Sequence, residues 1–134
     1  MTGVQTCALP ISACDVGQGD ALALAVGPRS AIVVDAGPDP QAVDRCLDRL
    51  GVEQVPLLVL THFHADHVDG IDGVLDGRSV GAIETTELAD PPGGVELVRR
   101  AAAAAGVPVT VAPGSWLERQ DWLYGYEPGP ETRT

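Results

Sequence analysis

No lysine occurs in this chain of 134 residues: its eight basic residues are all arginine, against nineteen acidic ones. The formal net charge is −11. A chain so acidic does not attract nucleic acid by its overall field. Aromatic residues are almost as scarce, at 4% of the chain. Hydrophobic residues still reach 45%, so a core can be built, mainly from aliphatic side chains. No apolar run is long enough to cross a bilayer. No basic stretch followed by a long apolar one opens the sequence, so no secretory signal is visible. Cysteine is confined to Cys7, Cys14 and Cys46, with neither zinc-type spacing nor an even framework. That usage fits a reducing compartment. The length allows one domain at most, and no internal repeat is seen.

Histidine is scarce too, yet its three copies fall together. Residues Thr61 to Gly70 contain His62, His64, Asp66 and His67, with Phe63 and Ala65 between them. The apolar run Val55 to Leu60 comes just before and reads as a buried strand. The exit of a rigid strand is where a metal site is well placed. Alternate residues of an extended segment point the same way, so His62 and His64 can converge on one ion. Asp66 and His67 lie a turn further on and can reach a second. Zinc takes imidazole and carboxylate ligands at about 2.0–2.2 Å, and a catalytic site keeps one position for water. Two ions about 3.5–4 Å apart can clamp the attacking and leaving oxygens of a hydrolysis. Such a pair serves esters, amides or phosphodiesters. The bland alternative is a surface histidine cluster, which the strand before and the helix after argue against.

Around this loop the periodicities alternate between strand and helix. Ala13 to Val16, Ala21 to Val26 and Ser30 to Val34 read as three strands of a meander, with Gly17 and Gly19 in the first turn. Asp39 and Pro40 start a helix as N-cap and first helical residue. Its stripe is Val43, Cys46, Leu47 and Leu50, and Gly51 stops it. Cys46 on that stripe reads as a buried structural thiol. Val68, Ile71, Val74 and Leu75 predict a helix of about ten residues. Ala82 to Thr85 is a strand, Gly94 to Ala105 a helix, and Val109 to Val111 a strand. The order gives a layered α/β domain.

Other acids divide between turn roles and support roles. Asp15 and Asp20 flank the glycine turn, and turn and supporting readings stand about even. Asp35 ends an apolar strand, where a carboxylate can orient a metal-bound histidine. Asp69, Asp72 and Asp76 read as a solvated helix face. Arg99 and Arg100 read the same way, with a phosphate contact as the alternative.

Three stretches match one family. The sequence Asp15-Val-Gly-Gln-Gly-Asp20, then Val33 to Gly37, then Thr61 to Gly70, resembles the metallo-β-lactamase-like domain of the ComEC competence proteins. The resemblance covers about Cys14 to Pro113. It implies an α/β fold, a partial metallo-β-lactamase-like αββα sandwich represented by its first half. It implies two zinc ions, with manganese as the alternative. His62 and His64 would serve the first ion, Asp66 and His67 the second, and Asp66 would assist as a general base. It also implies DNA as substrate and a membrane channel domain upstream in the same polypeptide, in a bacterial cell membrane. This chain itself carries no membrane segment. Two further readings remain open: a stand-alone soluble hydrolase of a small ester or nucleotide, and a non-catalytic metal-binding module.

The chain also departs from the family. No histidine follows His67, whereas the family calls for later ligands, and such domains run to about 200 residues. The expectation is therefore the N-terminal half of the domain, over residues 12–113, with little or no activity by itself and sheet edges prone to associate. Residues 1–11 resemble translated sequencing adapter and are set aside. Residues 114–134 hold both Trp and both Tyr and read as a tail of uncertain origin.

Overall fold

In the computed structural model the structure describes residues 11–112. Eight strands form one sheet. They are β1 (Ile11–Ala13), β2 (Leu22–Gly27), β3 (Ser30–Val34), β4 (Gln54–Val55), β5 (Leu58–Leu60), β6 (Ser79–Val80), β7 (Ile83–Thr85) and β8 (Val109–Val111). Four helices join them: α1 (Pro40–Arg49), α2 (Ala65–Val68), α3 (Ile71–Leu75) and α4 (Pro92–Ala105). The main path across the sheet is β1-β2-β3-β5-β7-β8, with β4 beside β3 and β6 beside β4. The meander β1–β3 is antiparallel, and every pairing from β3 onward is parallel. Parallel neighbours need crossovers, and α1 and α4 supply two of them.

The strands bury one face. Ala23, Ala31, Val33, Leu58, Leu60 and Ile83 join Val43, Leu47, Val68, Ile71, Val74 and Val98 of the helices in one core. The period of two places Leu22, Leu24, Ile32, Val34 and Val59 on the other face, and none of these is fully buried. The described residues thus form one helix layer on one sheet, a mixed α/β architecture. No helix among them is long and apolar enough to cross a membrane.

Local chemistry explains most boundaries. The Asp39 side chain accepts from the Gln41 amide at 3.0 Å, with Pro40 next to it, so α1 starts where predicted. Gly51 follows with φ of 74°. Strands β3 and β8 also fall as predicted, over Ser30–Val34 and Val109–Val111. Three expectations are corrected. The first strand is Ile11–Ala13 rather than Ala13 to Val16, because Leu22–Leu24 pairs with those residues. Ile11, set aside by its resemblance to adapter, is therefore part of the sheet, while residues 1–10 lie outside the described ones. The run Val55–Leu60 is split at Pro56 and Leu57 into β4 and β5, since proline has no amide to donate. The helix expected over Val68–Leu75 is two short ones broken at Gly70. A Cβ on Gly70 would lie 2.2 Å from the Ala36 carbonyl oxygen, so tight chain crossing, not helical continuity, fixes that residue.

The cysteine reading is corrected as well. Cys46 is not a free thiol: it is disulfide-bonded to Cys14, 32 residues away, with Cα atoms 5.7 Å apart. No spacing rule could show this, because the two meet only once α1 lies on the sheet. The expected tail at 114–134 lies outside the described residues.

Candidate metal centre

The candidate centre begins where β5 ends. Phe63 is buried, while His62, His64 and Asp66 are exposed and His67 is partly buried. The alternation comes from extended backbone at His64, which then caps α2. Gly94 of α4 lies against this loop so closely that a Cβ there would fall 1.8 Å from the Phe63 carbonyl oxygen. Packing on its buried side therefore fixes the loop's height above the sheet.

Asp35 sits beneath it. It is 3% exposed and adopts φ of 63°, a conformation that aspartate tolerates better than most residues. Its carboxylate accepts from the Thr61 amide at 2.8 Å, the Thr61 hydroxyl at 2.6 Å and His67 Nδ1 at 3.1 Å. A carboxylate only accepts, so His67 carries its proton on Nδ1 and leaves Nε2 with a lone pair. The same reasoning extends one step further. The Thr61 hydroxyl has one proton and gives it to Asp35. Its contact with His62 Nδ1 at 3.1 Å therefore has the imidazole donating, so Nε2 of His62 is left as the acceptor too. One buried carboxylate sets the tautomer of two histidines, directly and through Thr61.

The other candidates are also near. Asp66 Oδ1 lies 3.7 Å from His67 Nε2, and Asp20 Oδ2 lies 4.0 Å from His67 Nδ1. The His62 ring centroid is 6.2 Å from that of His64 and 4.9 Å from that of His67. Asp15 turns back on its own loop, accepting from the Gly17 amide at 3.4 Å. Asp69, Asp72 and Asp76 are exposed. Arg99 and Arg100 pair with Glu96. The hydrogen bond from Arg99 holds the Glu96 carboxyl below its usual range. That surface pairing fits the solvated-face reading of the two arginines.

Imidazole and carboxylate are the donors zinc prefers, and both preset Nε2 atoms suit it. Among the described residues, however, no three His, Cys, Asp or Glu side chains gather into a group able to hold a metal ion. The donor chemistry fits and the geometry is incomplete, so these residues alone define no step through a metal. Thr61 is the residue that sequence reasoning missed. Its place between the strand and the first histidine was the available signal.

The family profile described as "Metallo-beta-lactamase superfamily" matches residues 14–132. The chain belongs to the metallo-β-lactamase superfamily. Members of this superfamily are generally hydrolases that typically bind zinc. No curated protein matches the sequence. Among solved structures, the chain is similar to one titled "Crystal structure of BLEG-1 B3 metallo-beta-lactamase", with 24% identity and a TM-score of 0.52. The match covers 76% of this chain and 49% of that one, so it spans about half of the solved relative's length. At that identity the likeness establishes the fold alone.

Proposed function

We propose that this chain carries the first half of the active site of a metal-dependent hydrolase, one that cleaves DNA phosphodiesters in a ComEC-like DNA-uptake protein. The observation that supports this most is the docking of the Asp15–Asp20 loop onto the histidine loop. A Cβ on Gly19 would lie 2.3 Å from the Asp66 carbonyl oxygen, and Asp20 reaches His67. The stretch that carries the ComEC resemblance belongs, on this reading, to the same site. In this reading His62 and His64 serve one zinc, Asp66 and His67 another, and manganese can substitute. Bound zinc supplies Lewis acidity, while Asp66 handles the proton. The remaining ligands and a basic DNA groove belong to sequence beyond these residues, as does a membrane channel domain upstream.

The test is hydrolysis by the zinc-loaded protein, encoded with the flanking sequence of its locus. Substrates are single-stranded DNA, bis(p-nitrophenyl) phosphate, p-nitrophenyl acetate and nitrocefin. Phosphodiester cleavage abolished by His64→Ala is the expected result. Ester cleavage without DNA cleavage overturns the substrate in favour of a soluble small-molecule hydrolase. Zinc binding with no turnover on any substrate leaves a metal-binding module.

A further inference from the structure

We propose that the Cys14–Cys46 disulfide is a positioning tether for the candidate site: it holds the loop from Cys14 to Ala21 on the histidine loop, so that its reduction loosens both together. Cys14 directly precedes Asp15. Cys46 is 6% exposed on the inner side of α1, an element anchored in the core by Val43 and Leu47. The bond therefore fixes one end of the loop to a helix packed into the core.

Apart from the Asp20–His67 contact at 4.0 Å, little else fixes that loop. Its ends are joined by the Cys14 amide donating to the Ala21 carbonyl at 2.9 Å. Among the described residues, no hydrogen bond ties residues 15–20 to the rest of the molecule. Val16 is buried against Gly37, and Gly19 rests on Asp66 with no room for a side chain. These are short-range contacts, lost with a small displacement. Gly17 and Gly19, at φ of 82° and 128°, allow the loop other conformations once its base is released. The residues then displaced are Asp20 and, through Gly19, the backbone of Asp66 beside His67.

The chemistry is a thiol–disulfide exchange. A dithiol supplies two electrons and two protons, the S–S bond breaks, both cysteines become thiols, and the dithiol closes to its own disulfide. The inference does not depend on what the site hydrolyses.

The experiment is hydrogen–deuterium exchange of the metal-free chain in three forms: oxidised, reduced with dithiothreitol, and the Cys14→Ser/Cys46→Ser double variant. Peptides covering 14–21 and 61–70 are expected to exchange about tenfold faster in both bond-free forms, while β3 and β7 hold their protection. A uniform rise across the chain overturns the proposal, since the bond would then be a general staple. So does an unchanged histidine loop. Alkylation of the denatured oxidised chain should find Cys7 alone; three free thiols overturn the premise. Gly19→Ala keeps the bond and pushes the loop off Asp66. It should reproduce the faster exchange at 61–70, and its failure to do so overturns the loop as the route.

Discussion

At the scale of single residues, the site is organised by a carboxylate that is itself no candidate ligand. Asp35 accepts three hydrogen bonds from Thr61 and His67. Replacing it with Ala removes three partly buried hydrogen bonds, at about 1–3 kcal/mol in all, read as a lower midpoint in urea. The Thr61 relay gives a sharper prediction. In Thr61→Val the 15N resonances of His62 should lose the single Nδ1–H pattern and report mixed tautomers, while those of His67 stay unchanged. Thr61→Ser should restore the pattern, because the hydroxyl alone is needed. Asp35 was legible in the sequence as an acid at a strand end. The relay was not, since no spacing reveals which hydroxyl a buried carboxylate will engage.

At the scale of elements, Arg78 joins the most. Its side chain is 3% exposed. Its Nε donates to the Val52 carbonyl, Nη1 to Gly73 O and Asp44 Oδ1, and Nη2 to Asp44 O and Asp48 Oδ1. All five of its N–H donors are thereby used. Arg78→Met strands three carbonyls, and a loss on the order of 3 kcal/mol is expected in chemical unfolding. Arg78→Lys should recover only part of it, because an ammonium cannot span that fork. By contrast, Asp39→Ala should cost about 1 kcal/mol through its lost N-cap. Helix α1 and strands β3 and β8 were legible because capping residues and period mark their ends. The α2–α3 break was not, because Gly70 answers to the Ala36 carbonyl rather than to its neighbours in sequence.

At the scale of the whole molecule, helices cover the sheet on one face only among the described residues. Ile11, Leu22 and Val26 are 56%, 40% and 49% exposed on strands β1 and β2, and Val109 and Val111 are exposed on the edge strand β8. Edges and apolar faces of this kind recruit other chains. The chain alone is expected to self-associate as its concentration rises, seen by light scattering. Val26→Lys should reduce that association without altering the far-ultraviolet circular dichroism. The net charge of −11 opposes association, so added salt should promote it.

The sequence by itself determined the layered α/β class, the capped helix α1, and the candidate donors His62, His64, Asp66 and His67. Each of those follows from spacing along the chain, which is all that periodicity and motif can record. Tertiary structure alone decided that Cys14 meets Cys46, that Gly19 lies on Asp66, and that Asp35 reaches two histidines. Those contacts join residues between 26 and 47 positions apart. They exist because parallel strands bring distant segments to one edge of the sheet, where the packing of glycines against carbonyl oxygens sets the distances.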